Sequence, residues 1–333
     1  MRPLSYVRAM AVEDAVERVS GDPAGAFLAG GTTEIDLIRF GLAEPDLLVD
    51  INDLPLSGIE DLPGGGLRIG ALARMSDVAR DGAVARRYPA VSQALLLGAS
   101  QQLRNMASMG GNLCQRTRCP YFGDGISPCN KRTPGTGCSA LEGINRNHAI
   151  LGTSPHCIAT HPSDVAVALT AFDAVVHTMG RDGDRRIPID DFFLLPGDTP
   201  HIEHALNHGE LITAIEIPAA PVAARSLYLK YRDRQSYEFA LVSVCAALRV
   251  ADGTIGEVRL ALGGVGTKPW RARRAEERLR GAAPTTESFA EAADAELAAA
   301  SVRRHNAFKA EFARRAIVRA LNQVMGSTNG GRA

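Results

Sequence analysis

Five of the six cysteines lie within 44 residues, at Cys114, Cys119, Cys129, Cys138 and Cys157, with the spacing C-x4-C-x9-C-x8-C-x18-C. Structural zinc uses close C-x2–4-C knuckles that put two thiolates on one turn. Only Cys114 and Cys119 approach that spacing, and no second knuckle follows. An iron–sulfur cluster needs four thiolates and tolerates wide, loop-borne spacing. The same stretch carries Arg116, Arg118, Lys131 and Arg132, whose charges can offset that of a thiolate-bound cluster. An irregular loop with incidental cysteines is a poor account, because the other 289 residues hold one cysteine. That residue, Cys245, sits in an apolar run and reads as a small core side chain. A disulfide frame is disfavoured, since no signal peptide opens the chain.

Two glycine turns flank this loop or precede it. Gly30-Gly31-Thr32-Thr33 follows the apolar run Phe27-Leu28-Ala29, and Ser108-Met109-Gly110-Gly111-Asn112 runs directly into Cys114. Backbone N–H groups hold phosphate oxygens, and glycine removes the side chain that would block that approach. Neither turn is a dinucleotide fingerprint or a Walker sequence. Either one alone is best read as an ordinary tight turn. Together, with short polar residues after each and a cysteine cluster beside the second, they point to a pyrophosphate cradle. Two cofactors side by side imply electron transfer.

The elements that must position these residues are mixed. Residues 11–20 read as a helix, and 46–51 as a strand. Gly64-Gly65-Gly66 is a hairpin-type turn before Leu67–Gly70, and residues 75–82 and 89–98 read as helices. Residues 114–157 lack periodicity, and a long irregular segment inside a globular protein needs a reason such as a metal centre. Order resumes at Asp164–Phe172. Ala174–Val176, Leu211–Ile217, Leu241–Val250 and Val258–Leu262 read as strands. Residues 285–299 and 301–325 read as helices. Pro218-Ala219-Ala220-Pro221 is the candidate linker, and the tail from Gly326 reads as frayed.

Length and charge set the outer limits. A chain of 333 residues is too long for one simple core. Its 37 Lys+Arg balance 37 Asp+Glu, so there is no overall positive field for nucleic acid or an anionic membrane. No apolar run is long enough for a membrane helix.

Three segments resemble the FAD-contacting motifs of the flavoprotein subunit of the xanthine dehydrogenase, or molybdenum hydroxylase, family: Leu28–Ile35, Ser108–Asn112 and His161-Pro162-Ser163-Asp164. Leu195-Pro196-Gly197, Ile215–Pro218, Lys230-Tyr231-Arg232 and Leu262–Val265 follow in the order that family shows. Around the cysteines, Cys119–Phe122, Pro128–Arg132, Gly137–Leu141 and His156–Asp164 look like the bacterial aldehyde oxidoreductase flavoprotein subunit with an extra [4Fe–4S] cluster. The 4-hydroxybenzoyl-CoA reductase flavoprotein subunit ranks second, because its later cysteines are spaced differently.

The resemblance implies an α+β fold. A PCMH-type FAD-binding domain of two α+β subdomains would span 1–221, with the iron–sulfur loop at 114–157. A smaller α+β domain, like the C-terminal domain of CO dehydrogenase flavoprotein, would span 222–327, and 328–333 would be a flexible tail. FAD would contact Ala29, Gly30, Gly31, Thr32, Thr33, Glu34, Ile35, Ser108, Gly110, Gly111, Asn112, Asp164, Ile212 and Lys230. Gly30 to Thr33 would wrap the pyrophosphate, Ser108 to Asn112 would form a second wall, Asp164 would serve the ribose or adenine side, and Lys230 would lie near the flavin ring. From the residues alone, Asp164 reads as part of a helix start and Lys230 as a solvated charge on a strand edge. Cys119, Cys129, Cys138 and Cys157 would hold the cluster. Cys114 is set aside, since its backbone is committed to the FAD wall.

The resemblance further implies no catalytic residue on this chain. It would be an oxidoreductase subunit passing electrons through FAD to an external acceptor. Its partners would be a large molybdenum-cofactor subunit and a small subunit with two [2Fe–2S] clusters. Residence would be cytoplasmic, or periplasmic by co-export with a partner. A structural zinc-binding interaction protein is the alternative of another class. His204 and His208, four apart, read as surface residues with no third ligand, and Trp270 as core or rim packing, or a subunit contact.

Overall fold

The computed structural model describes residues 3–329. A small parallel sheet comes first: β1 (Ser5–Arg8), β2 (Gly25–Leu28) and β3 (Leu47–Asp50), in the order β1-β3-β2. The helix Val12–Gly21 joins β1 to β2 and buries Ala15, Val16 and Val19 on one face, a 3.6-residue spacing. These meet Val49, Ile51 and Leu54 in a compact core.

A five-stranded antiparallel sheet follows, built from β4 (Ile59–Asp61), β5 (Leu67–Gly70), β6 (Val175–Gly180), β7 (Gly183–Pro188) and β8 (Leu211–Ile217), in the order β4-β5-β8-β6-β7. The turn between β4 and β5 uses Gly64 and Gly65 at φ 91° and 97°, where side-chain-bearing residues are strained. Helices Met75–Arg80, Gly82–Arg87 and Pro89–Leu97 pack beside this sheet. Helix Asp164–Ala171 is buried from Val165 through Ala171. A helix apolar on all sides belongs inside the molecule.

The third sheet is antiparallel, in the order β12-β11-β10-β9, with β9 (Ser226–Tyr231), β10 (Val242–Ala251), β11 (Thr254–Gly263) and β12 (Trp270–Arg271). The run Val242–Leu248 is buried at every position, which explains its continuous apolar sequence. One face lends Cys245, Ala247 and Ala261 to the core around the helix Asp164–Ala171. The other face is covered by helices Arg273–Leu279, Thr286–Leu297 and Phe308–Asn329. The mixed helix-and-sheet class expected from the resemblance is the class observed.

Two expected boundaries move. Residues 301–307 are turn rather than helix, because Asn306 reaches out to the carbonyls of His148 and Ala149 and commits that backbone elsewhere. The last helix continues to Asn329, through the start of the expected tail, and 330–333 lie outside the described residues. His204 is not on a helix or on the surface: its ring is stacked on Phe192 at 5.8 Å and burial lowers its pKa. His208 caps the first helix by bonding the carbonyls of Val19 and Asp22, both at 2.9 Å. Trp270 packs against the C-terminal core and donates to Glu296 at 2.8 Å.

Candidate functional site

A cleft of about 310 Å³ opens where the two glycine turns, the start of helix Asp164–Ala171 and the strand β9 converge. Thr32, Thr33, Gly111, Asn112, Asp164 and Lys230 line it. Ala29, Gly30, Gly31, Glu34, Ile35, Ser108, Gly110 and Ile212 do not line it, and stand behind or beside the walls. Sequence reasoning missed other lining residues, among them Asp36, Gly98, Ala99, Gln115, Arg118 and the segment Arg234, Tyr237, Glu238 and Phe239. Gln115 and Arg118 carried a positional signal, since both lie shortly after the second turn.

The first turn presents backbone donors. The N–H groups of Thr32 and Thr33 have no hydrogen-bond partner among the described residues. Gly31 makes this possible at φ 68°, a left-handed conformation. Gly30 has another reason to be glycine: a Cβ there would stand 2.0 Å from the Met106 carbonyl oxygen. Behind the turn, Asn52 donates to the Ala29 carbonyl at 3.0 Å and pins the end of β2. Ile35 supports Gly31 from below, at 3.1 Å from where its Cβ would be. Glu34 is half-buried near Arg116, and desolvation raises its pKa against that charge.

The second turn is built differently from the expected wall of N–H groups. Gly110 donates to the Ala71 carbonyl at 2.8 Å, Gly111 to the Ser108 hydroxyl at 3.2 Å, and Asn112 to the Ser108 carbonyl at 2.9 Å. Those donors are used within the protein. Gly110 lacks a side chain because Ala71 and Ile212 crowd it at 3.0 and 3.5 Å. What remains for a ligand is the bare Cα of Gly111 and the Asn112 amide. That amide is held by Ser163, whose hydroxyl donates to Asn112 Oδ1 at 2.5 Å, and its Nδ2 rests on Met75 Sδ at 3.3 Å.

Asp164 and Lys230 occupy one place in the cleft. Lys230 Nζ lies 2.7 Å from Asp164 Oδ2 and donates to the Leu97 carbonyl at 3.1 Å. The Tyr228 hydroxyl donates to the other carboxylate oxygen at 2.8 Å. The Lys230 side chain is 1% exposed, so it is not the solvated edge charge that the sequence alone favours. Burial first, and then the Asp164 charge, hold the Tyr228 phenol well above its ordinary pKa, so it stays a proton donor. Asp164 is the first residue of its helix, with Ser163 as the cap accepting from Ala166 N–H at 3.1 Å.

The arrangement suits FAD. Two free N–H groups, the hydroxyls of Thr32 and Thr33, and the guanidinium groups of Arg118 and Arg234 can meet a diphosphate. Tyr237 and Phe239 give the cleft apolar wall for a flat ring.

The cysteine loop starts from the same wall. Arg118 lines the cleft, and Cys119 is the next residue. Cys129 and Cys138 face each other across an antiparallel bridge, closed by Asn130 N–H to the Gly137 carbonyl at 2.7 Å. The Asn130 side chain reaches the His156 carbonyl at 3.1 Å and draws the Cys157 segment in. Arg132 holds the Cys119 segment by donating to the carbonyls of Tyr121 and Phe122 at 2.9 and 2.8 Å. Cys129 and Cys157 thereby lie near enough to Cys119 to act on its charge, and Cys129 and Cys138 near enough to act on that of Cys157. Burial pushes the Cys119 thiol up to about 12, and the charges of Cys129 and Cys157 add to that. Cys157 is pushed up to about 11 by burial, opposed by Lys131 and reinforced by Cys138 and Cys129. Cys114 stands apart: it packs against the central core, and burial and then Glu34 raise its thiol to about 12.

Among the described residues, no three His, Cys, Asp or Glu side chains come together closely enough to hold a single metal ion. That geometry does not suit tetrahedral zinc, which pulls its thiolates to about 2.3 Å. The loop cations expected to face a cluster are largely engaged elsewhere. Arg116 and Lys131 both pair with Glu203, the latter at 2.9 Å, and Arg118 lies over the Phe239 ring at 5.3 Å. Lys131 acts on a cysteine as expected, by lowering Cys157. His148, which sequence reasoning passed over, sits with Nε2 3.1 Å from Cys119 Sγ.

The family described as the FAD binding domain in molybdopterin dehydrogenase matches residues 2–220. The CO dehydrogenase flavoprotein C-terminal domain matches 227–324. The chain is 47% identical to the aldehyde oxidoreductase FAD-binding subunit PaoB of Escherichia coli strain K12, over 97% of this chain and 99% of that one. It is 28% identical to the glyceraldehyde dehydrogenase medium chain of Sulfolobus acidocaldarius, over 83% of this chain and 81% of that one. Among solved structures, carbon monoxide dehydrogenase from Hydrogenophaga pseudoflava superposes with a TM-score of 0.75 at 25% identity, covering 98% and 99% of the two chains. No helix among the described residues is long and apolar enough to cross a membrane.

Proposed function

We propose, since this chain belongs to the FAD-binding family of molybdopterin dehydrogenases, that it is the electron-transfer flavoprotein subunit of a molybdenum-dependent aldehyde oxidoreductase. One observation carries the electron-transfer reading. The cleft wall and the cysteine group share a backbone, with Arg118 in one and Cys119 in the other, about 3.8 Å apart from Cα to Cα. Electrons crossing between two groups so held need no moving part.

FAD in the cleft would supply one- and two-electron chemistry. Thr32 and Thr33 bind its diphosphate through N–H and hydroxyl groups. Asn112, fixed by Ser163, orients it. The Asp164–Lys230 pair is one electrostatic unit rather than two contacts at opposite ends of the cofactor. Its net charge is near zero, so it organises donors more than it attracts anions. Cys119, Cys129, Cys138 and Cys157 hold a [4Fe–4S] cluster in this reading, and their thiols release protons when iron binds. The partners are a large molybdenum-cofactor subunit and a small subunit with two [2Fe–2S] clusters, and an external acceptor takes the electrons. The division into 1–221 and 222–327 is supported by the helical turn Pro221–Arg225 and by family matches that end at 220 and resume at 227.

The test is the purified native complex, analysed for flavin, iron, molybdenum and subunits. One FAD and one four-iron cluster on this chain are expected. The isolated chain should oxidise no aldehyde. Aldehyde turnover by this chain without a molybdenum partner contradicts the reading.

A further inference from the structure

Resting on the cluster reading above, we infer that His148 is a positioning residue that tunes the cluster by donating an Nε2–H hydrogen bond to the Cys119 sulfur. The two atoms are 3.1 Å apart, and His148 is 2% exposed. A thiolate bound to iron has no proton to give. The contact is then a hydrogen bond only if Nε2 carries the proton. Nδ1 is buried and no donor reaches it. Nothing in the fold competes for the tautomer that the thiolate requires.

The backbone that carries the ring is held from within the cysteine loop and from the C-terminal domain. His148 N–H donates to the Asn145 carbonyl at 3.0 Å. Its own carbonyl accepts from Lys309 Nζ at 3.1 Å and from Asn306 Nδ2 at 3.4 Å. Lys309, fully buried, also donates to the Gly264 carbonyl at 2.7 Å. The C-terminal domain thereby holds the main chain from which the ring reaches the sulfur. An N–H···S bond stabilises the more negative, reduced form of an iron–sulfur group and raises its potential. Cys157 has a comparable bond from Ala159 N–H at 3.4 Å, but that donor is backbone and no side-chain replacement removes it.

The test uses the native complex, with EPR-monitored redox titration of wild type, His148→Leu and His148→Gln. His148→Leu is expected to shift the reduction equilibrium of this cluster at least tenfold toward the oxidised form, which is about 59 mV for one electron. His148→Gln keeps an N–H donor and should recover part of the shift. If His148→Leu binds no iron, the wild type decides. Its reduced cluster should show hyperfine coupling to nitrogen from 15N-labelled histidine, and His148→Gln should not. An unchanged potential in His148→Leu, or no histidine coupling in the wild type, overturns the inference. A wild-type complex without iron on this chain overturns instead the cluster reading on which it rests.

Discussion

At Gly30 the two walls of the cleft meet backbone against backbone, with no room for a methyl group. In the cysteine loop, apart from the short backbone bridge at Cys129 and Cys138, segments are joined by Asn130, Arg132, Asn145 and Lys309 reaching to carbonyls. Both regions hold irregular chain in one shape, but by different means. A backbone-on-backbone contact tolerates no added volume. Side chains that bridge loops make a scaffold whose cysteine sulfurs can be changed without moving the frame. The cleft should therefore be fragile toward size, and the loop fragile toward ligand identity.

The largest effect that would sharpen this contrast is at the glycines. Gly30→Val should cost more than about 3 kcal/mol, the top of the overpacking range. Gly111→Leu meets the Ser108 hydroxyl at 2.9 Å rather than a backbone, and should keep the fold while crowding FAD out. Denaturant unfolding and flavin content, measured on both, check this. Full flavin in Gly111→Leu would remove that turn from the cofactor wall.

Next is the ion pair that lines the cleft. Lys230→Met leaves the Asp164 carboxylate buried with Tyr228 as its remaining side-chain partner, and should cost about 3–5 kcal/mol. The double variant with Asp164→Asn should recover much of that loss. A Lys230→Met protein as stable as wild type would show the pair to be dispensable. With stability matched, any change in flavin potential reports on the pair's nearness to the ring.

A third effect is a pH dependence on the loop side. Burial pushes the Lys309 pKa from 10.5 down to about 7. Between those values the unfolded chain binds more protons than the folded one, so raising the pH favours folding. Lys309→Met lacks this term. The stability of wild type relative to the variant should rise from pH 7 toward pH 10 and level off above. A flat difference would mean that Lys309 keeps its proton in the fold.

Much of the fold was legible where the pattern is local. The helix from residue 12 and the glycine hairpin follow from spacing and turn chemistry, and the buried strand β10 from its apolar run. The cleft was legible as two turns, but not the division of labour between them. Gly-Gly in sequence does not say whether a ligand or Met106 needs the space. Nor can it say that the N–H groups of Gly110 and Gly111 are already spent on Ala71 and Ser108. Asp164 and Lys230 lie 66 residues apart, and only the packing of β9 against the start of a helix makes them a pair. His148 and Lys309 were invisible for the same reason, being 161 residues apart. The loop's cations were visible, but not their use by Glu203.

The central claim is that one wall carries both a flavin and a four-cysteine iron site. Iron and flavin counted per chain in the native complex, for wild type and for single Cys→Ser variants, test it most directly. The expected result is one FAD and four irons in wild type and in Cys114→Ser, with iron lost and FAD kept in Cys119→Ser, Cys129→Ser, Cys138→Ser and Cys157→Ser. Iron that survives in one of those four and is lost in Cys114→Ser, or flavin without any iron in the wild type, would contradict it.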